Sequence, residues 1–294
     1  MKDCVRPISI VTVEFKNLEH TKQLVESLIS QPYFRDTKIT IVNNAIDLHS
    51  AVALEELSRA YENITIYQNP SNTGYFGGLN AGLPSALKSD PKWLVLCNSD
   101  IVFNDPLFLD NLHKLDVDDD VLCIAPAIST PDGDNQNPFW VRRPKEGRWL
   151  LYRIYLGSYA LFRLMTLASA LMKRMGMRGS ENHPTKPFEI YAPHGACFIM
   201  NARYFETYRR LDDSLLIWGE EPILGETIRL ARGRVLYMPS LRVLHNQSGP
   251  IKTVLGKTSL KAFVLKKRVY EYLRGRYFQP TKSVRKGKAG LKKG

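Results

Sequence analysis

Cysteine is scarce in this chain. Of 294 residues only four are Cys, at positions 4, 97, 123 and 197, and no two stand in C-x-x-C spacing. Three of them (Cys97, Cys123 and Cys197) lie inside apolar runs, so buried free thiols in a reducing compartment are expected rather than a disulfide framework. Long hydrophobic runs are missing too. No 18 consecutive residues are free of charged and polar side chains, and a membrane-spanning helix is not expected. The opening "MKDCVRPISIV" lacks the shape of a signal peptide, because Arg6 and Pro7 break an apolar stretch that is already short. Two nucleotide-binding signatures are absent. There is no G-x-x-x-x-G-K-[ST], and "PISIVTV" is followed by Glu14-Phe15-Lys16-Asn17 instead of G-x-G-x-x-G. P-loop chemistry and hydride transfer are both poor fits.

Acid is nearly absent from the C-terminal part. From Lys252 onward there are fourteen Lys and Arg against one acid, Glu271, a net of +13. The whole chain carries +12, so residues 1–251 sum to −1. The body is neutral and the tail basic. A basic tail can meet nucleic acid, an anionic lipid surface, or neither.

What is present is a full core: 44% of the residues are hydrophobic. Apolar runs at 7–13, 38–44, around "NITIYQN" and at "KWLVLCNSD" read as strands. They alternate with helical spacing at 18–29, around 51–61, and after the glycine-rich "PSNTGYFGGLNAGLPSAL". That alternation argues for a parallel α/β sheet. In such sheets ligands collect at the carboxyl ends of strands. Three strands here end in polar groups: Glu14 after Val13, Asn43-Asn44 after Val42, and Asn98-Ser99-Asp100 after Cys97. Any one could be ordinary turn chemistry; three together mark a candidate site.

In the second half, "APHGACFIMNARYFETY" reads as a loop and strand entering a helix. Glu220-Glu221 precede Pro222, which is expected at the first helical position, with Ile223, Thr227, Leu230 and Ala231 on one side. "RVLYM" is another strand, leading through Pro239 to His245.

Six stretches carry a resemblance: "ISIVTVEFKN", "ITIVNNAID", "NPSNTGYFGGLNAGL", "VLCNSDIVF", "GACFIMNARYF" and "WGEEPILGETIRLARGRVLYMPSLRVLHNQSG". They occur in this order over about residues 7–250. Together they resemble the family 2 glycosyltransferases with the GT-A fold, in particular the rhamnosyltransferase-like branch of bacterial surface-polysaccharide enzymes. The resemblance implies a three-layer α/β/α domain with a mostly parallel central sheet over residues 1–250, with a helical insertion at about 145–180. A basic amphipathic helix and tail would occupy 251–294. It implies an inverting transfer of a sugar from a dTDP- or UDP-sugar to a hydroxyl. A divalent metal, Mn2+ or Mg2+, would sit on Asp100 and His245 and clamp the leaving diphosphate. Val13, Glu14, Asn43, Asn44, Gly77, Gly78, Asn80, Asn98, Ser99 and Asp100 would hold the donor. Glu221, with Glu220 as its partner, would be the catalytic base. His194, Gly195 and Trp218 would lie on the acceptor side. Asn98, Asn43 and Glu221 each stand where the family usually has Asp, and Ile223 stands where it often has another acid. A catalytically degenerate scaffold that binds nucleotide-sugar is the alternative.

"WLLYRIYLGSYALFRLMTLASALMKRM" (149–175) is apolar but carries Arg153, Arg163 and Arg174. On one continuous helix these form a basic sector, as in interfacial helices. "SLKAFVLKKRVYEYLRGRYF" repeats the theme, with Phe263, Leu265, Val269, Tyr270, Leu273 and Tyr277 on a broad side and Lys261, Lys267, Arg268 and Arg274 opposite. The expectation is peripheral attachment to an anionic membrane on the cytoplasmic inner face of a bacterial cell, with a lipid-linked glycan acceptor. Nucleic acid is not expected as a partner, because bulky aliphatics separate the basic residues.

Overall fold

The strand β1 (Ile8–Glu14) is buried along its whole length, and its side chains divide by parity between two helical layers. Ile8 and Ile10 enter the core shared with Leu24, Val25 and Leu28 of α1 (Leu18–Ile29). Leu54 of α2 (Leu48–Ala60) packs in the same core. Val11 and Val13 face the other way, against α3 (Gly74–Leu87). A strand covered on both faces has to be apolar throughout, which is why "ISIVTV" reads as an unbroken run.

The computed structural model describes residues 6–174, 184–247 and 258–278. They fall into two compact units, 6–143 with 184–247 and 144–174 with 258–278. The first unit holds one nine-stranded sheet. Its strands are β1, β2 (Lys38–Asn43), β3 (Ile64–Gln68), β4 (Trp93–Asn98), β5 (Ile101–Val102), β6 (Val121–Ser129), β7 (Phe188–Ile190), β8 (Cys197–Asn201) and β9 (Arg234–His245). Their order is β3-β2-β1-β4-β8-β6-β9-β5, with β7 paired to β9. The β3-β2-β1-β4 block and the β6–β9 pair are parallel; β8, β5 and β7 run antiparallel to their neighbours. This is a mixed α/β fold around a mostly parallel sheet. The helices α4 (Phe108–His113), α7 (Arg203–Thr207) and α8 (Glu220–Leu230) complete the unit.

Two elements depart from the sequence reading. β6 and the full length of β9 are not apparent from periodicity, because bulges between Val121 and Cys123 and between Pro126 and Ala127 break their alternation. Helix α8 begins at Glu220, so Pro222 is its third residue and both glutamates lie in the first turn; Leu230 is exposed.

Register makes the strand ends level. Glu14 lies beside Asn43, and Val13 lies beside both Val42 and Asn98. The glycines of α3 let that helix sit close on these strands. A Cβ on Gly82 would lie 2.6 Å from Val11 Cγ1 and 2.9 Å from Val42 Cγ2; on Gly78 it would lie 2.8 Å from Val13 Cγ1. Replacing Gly82 by Ala is therefore expected to destabilise the fold by about 1–3 kcal/mol through overpacking. Urea unfolding measures this, and an unchanged midpoint would show that the helix can lift freely.

In the second unit the apolar, arginine-bearing stretch is two helices, α5 (Glu146–Tyr155) and α6 (Tyr159–Arg174), bent by 111°. The single basic sector expected across 149–175 is thereby corrected. Leu156-Gly157 ends α5, and Ser158 caps α6 by accepting from the backbone N–H of Leu161 through its hydroxyl, at 3.2 Å. The side chains of Lys173 and Arg174, and all of Met175, lie outside the described residues. So do Cys4 and the basic tail beyond Phe278. Helix α9 (Leu260–Arg276) buries Leu273 and sets Phe263 against Tyr159 and Phe162 of α6, at 5.7 and 5.5 Å between ring centres. Lys261, Lys267 and Arg268 are exposed. Among the described residues no single helix is long and apolar enough to cross a membrane.

Candidate active site

The end of β4 sits beside the turn that enters β8. Cys97 pairs with Cys197, and the Asn98 N–H donates to the Ala196 carbonyl at 2.8 Å. One residue past that strand, Ser99 and Asp100 are buried in a turn before β5. Because Ile101 pairs with His245, the end of β9 brings its imidazole to the carboxylate: His245 Nε2 lies 3.2 Å from Asp100 Oδ1. On the far side of the ring, Nδ1 lies 2.7 Å from Gln136 Oε1. With that carbonyl accepting the Nδ1 proton, the Nε2 lone pair faces a carboxylate oxygen. Two acceptors so placed call for a proton or a cation between them. Neighbouring ligands on an octahedral ion with ~2.1 Å bonds lie about 3.0 Å apart, which the pair approaches. Among the described residues no cluster of three His, Cys, Asp or Glu completes such a site. Asp100 and His245 would therefore suit a hard divalent ion whose other ligands would be phosphate oxygens and water, the usual way Mg2+ is held.

The loop before β8 links this end to α8. His194 lies 6.0 Å from His245, ring centre to ring centre, and its backbone N–H donates to Asn137 Oδ1 at 2.8 Å. His194 Nδ1 accepts from the Ala196 N–H at 3.0 Å. Burial, and then the His245 ring, push the His194 pKa down to about 4, so it stays neutral. A Cβ on Gly195 would lie 3.4 Å from Glu221 Oε1, so this glycine packs directly against the carboxylate. The sequence 194–195 thus spans the distance between the Asp100–His245 pair and the two glutamates.

Glu220 and Glu221 owe their place to a sharp entry into α8. Trp218 has φ 64 and Gly219 φ 94, two successive left-handed residues. For a bulky side chain this is uncommon and costs on the order of 1 kcal/mol, the kind of strain that collects at functional sites. Further along the helix, fully buried Glu226 accepts from Arg143 Nε at 2.6 Å, Arg229 Nη2 at 2.9 Å and the Tyr191 hydroxyl at 3.0 Å. This compensated charge ties α8 to the segment that leads to His194. Burial, and then the neighbouring Glu221, push the Glu220 pKa up to about 8. Burial also raises Glu221, while the Gly195 backbone N–H favours its charged form. Near neutral pH the pair therefore holds a proton between them.

A stability consequence follows. Folded Glu220 binds its proton more tightly than its ordinary pKa of 4.5 allows, so it lowers stability as pH rises from about 4.5 to about 8. The variant Glu220→Gln is expected to match the native protein near pH 5 and to exceed it by about 1–3 kcal/mol near pH 8. Thermal unfolding across that range checks it; a variant that is less stable at pH 8 would refute the assignment.

The donor-side residues are less open than their spacing suggests. Glu14 turns its carboxylate inward, accepting from the Asn17 N–H at 2.7 Å and the Thr21 hydroxyl at 2.8 Å, and so holds the start of α1. Asn43 donates to Gln68 Oε1 at 2.8 Å and accepts from the Ala45 N–H at 2.9 Å. Asn44 donates to the Gly74 carbonyl at 3.1 Å and accepts from Asn69 at 2.7 Å. Gly77 and Gly78 serve contacts inside the fold, against Thr73 and Val13. Asn80 clasps the Leu211 backbone in both directions, at 3.0 and 2.8 Å, holding the loop that leads to Trp218. Three residues escape the sequence reading: Gln136 and Asn137, which orient His245 and His194, and Asn69. The polar "DNQNP" run at 134–138 was the available signal for the first two.

The fold is that of GT-A glycosyltransferases. The mannosyltransferase PcManGT from Pyrobaculum calidifontis, solved with GDP-Man and Mn2+, is similar over 82% of this chain and 58% of its own length, with TM-score 0.52 and 12% identity. GalNAc-T7, solved with UDP, GalNAc and Mn2+, is similar over 92% of this chain and 49% of its own, with TM-score 0.57 and 18% identity. The chain thus spans less than two thirds of either structure. No curated protein matches its sequence. The sequence profile of glycosyl transferase family 2 matches residues 9–209, more than half of the chain. The chain belongs to that family.

Proposed function

We propose that this protein transfers a sugar, with inversion, from a nucleotide-diphosphate donor to a hydroxyl group. The observation that carries this reading is the unbroken series Asp100, His245, His194, Gly195, Glu221, in which each group lies against the next. It joins a site suited to a diphosphate to a half-buried carboxylate suited to take a proton. A divalent cation held by Asp100, His245 and the donor would neutralise charge on the departing diphosphate. The chain's own residues do the rest. Glu221 accepts the proton of the acceptor hydroxyl as that oxygen bonds to the anomeric carbon. The bond from that carbon to the diphosphate oxygen breaks, and its electron pair leaves with the diphosphate. Glu220, protonated, keeps a second charge away from the base. Backbone dipoles at the start of α8 favour the carboxylate form of Glu221.

The donor is a dTDP- or UDP-sugar, a hexosyl or rhamnosyl group, and the acceptor is a lipid-linked glycan of bacterial surface-polysaccharide assembly. Support for the lipid comes from α5 and α6, where Leu150, Leu151, Ile154, Leu164, Leu167 and Leu171 are each 48–64% exposed. Exposed Arg148, Arg153 and Arg163 lie among them. Apolar side chains with interleaved arginines suit the cytoplasmic inner face of a bacterial membrane, where each basic residue contributes about 1 kcal/mol. A thermal-shift panel of UDP, dTDP, GDP and CMP with Mn2+, Mg2+ or chelator tests the transferase reading, because a bound ligand raises the melting temperature by mass action. A metal-dependent rise with UDP or dTDP is expected; no rise with any nucleotide overturns it. Flotation with phosphatidylglycerol liposomes at low salt tests the membrane part, and failure to float removes it.

A further inference from the structure

The hydroxyl of Tyr75 is buried and has no hydrogen-bond partner among the described residues. Leaving a buried O–H unpaired carries a desolvation cost that folded proteins seldom accept without a reason. Its place is well defined. Gly74, at φ 77, opens α3 against the Leu216 backbone, and a Cβ there would lie 2.7 Å from the Leu216 carbonyl oxygen. That turn sets Tyr75 and Phe76 on the sheet. Phe76 meets Phe198 of β8 at 5.9 Å, ring to ring, and Tyr75 meets Phe76 at 5.8 Å. The start of α3 is thereby set beside β8, whose first residue, Cys197, pairs with Cys97 near the end of β4. Burial raises its pKa well above the ordinary value; Cys97, Cys197, Glu220 and Asp100 add to the rise. Cys97 and Cys197 are the paired residues at the two strand ends. Asp100 belongs to the diphosphate end of the proposed site and Glu220 to the acceptor end.

The geometry points to Tyr75 as a donor-binding residue whose hydroxyl hydrogen-bonds an oxygen of the transferred sugar. This assignment rests on the transferase reading above. The sugar is the part of the donor that lies between the diphosphate and the attacking hydroxyl, and Glu220 and Asp100, one residue assigned to each of those ends, both act electrostatically on Tyr75. A phenol that stays protonated is a hydrogen-bond donor at neutral pH. Flanked by two carboxylate-bearing residues, it adds no charge to a position where the ligand atom is a neutral hydroxyl or ring oxygen. The orphaned O–H of the free protein becomes the partner that distinguishes a sugar nucleotide from the bare nucleotide, and one sugar from another lacking an oxygen at that point.

The test uses Tyr75→Phe in the full chain, which removes one oxygen and keeps the ring. UDP-glucose, UDP-N-acetylglucosamine, dTDP-glucose and GDP-mannose are titrated calorimetrically with Mn2+, each beside its own free diphosphate. The expected result has three parts. The melting temperature of the ligand-free variant equals or exceeds that of the native protein. Affinity for the best sugar nucleotide falls about five- to tenfold, the size of one neutral hydrogen bond. Affinity for the matching free diphosphate is unchanged. A lowered melting temperature without ligand would show that the hydroxyl supports the fold, and overturns the assignment. Equal losses for sugar nucleotide and free diphosphate would move the contact to the phosphates and overturn it too, as would no loss at all. If the native protein binds none of the seven ligands, the transferase reading falls first and takes this one with it; native binding with an indifferent variant removes Tyr75 alone.

Discussion

Glu221→Gln is expected to lower sugar transfer by about 10²- to 10⁴-fold, the contribution of a positioned general base. The amide is isosteric and can still meet the Gly195 N–H, so folding and nucleotide binding should be retained. Burial raises the pKa of Glu221, so removing its charge relieves an unfavourable desolvation, and the variant should be at least as stable as the native protein. The measurement is the initial rate of nucleoside diphosphate release with lipid-linked acceptor, alongside nucleotide affinity. Glu220→Gln should be much milder, because Glu220 already carries the shared proton. If the two variants exchange phenotypes, Glu220 is the base. If neither loses turnover, the proton leaves by another route and the arrangement around Gly195 serves only the fold.

Asp100→Asn should abolish the metal-dependent part of nucleotide binding. Asp100 is 3% exposed and its Oδ1 lies 3.2 Å from His245 Nε2. An amide there cannot supply the anionic ligand a hard cation prefers. Turnover should fall by about 10³-fold or more, since charge stabilisation of a departing diphosphate is worth several kcal/mol. Chelator added to the native protein should reproduce the loss, and Mn2+ should restore the native protein but not the variant. Gln136→Leu, which strips His245 of its Nδ1 partner, should weaken metal binding about 10- to 100-fold. Full activity of Asp100→Asn in the presence of chelator would exclude a metal at this position.

Part of this site is legible in the residues. β1, β2 and β4 are short, buried on both faces and closed by polar groups. Asn43-Asn44 and Asn98-Ser99-Asp100 therefore stand out against the apolar runs before them. The glutamate pair ahead of Pro222 is visible as well. Other features are not local. Nothing in the spacing reveals that Glu14 spends both carboxylate oxygens on the start of α1. The glycines after the third strand read as a cradle for nucleotide, yet Gly78 and Gly82 admit Val13, Val11 and Val42. Arg153 and Arg163 share one sector only on an unbroken helix, and Leu156-Gly157-Ser158 divides that helix in two.

Composition and periodicity were enough to settle the class of architecture. Parity of burial along a strand and the 3.6-residue repeat of a helix are local properties that the side chains impose wherever they fold. They led to alternating strands and helices and to polar strand ends; the family came from the resemblance of six ordered stretches. Which of those polar groups meet was decided in three dimensions. Asp100 and His245 are 145 positions apart and touch only because β5 pairs antiparallel with β9 at Ile101 and His245. Gly195 reaches Glu221 because a buried Glu226, bridged by Arg143 and Tyr191, holds α8 against the chain before β8. Long-range pairing of this kind depends on register and on the burial of compensated charge, and neither is written in any window of neighbouring residues.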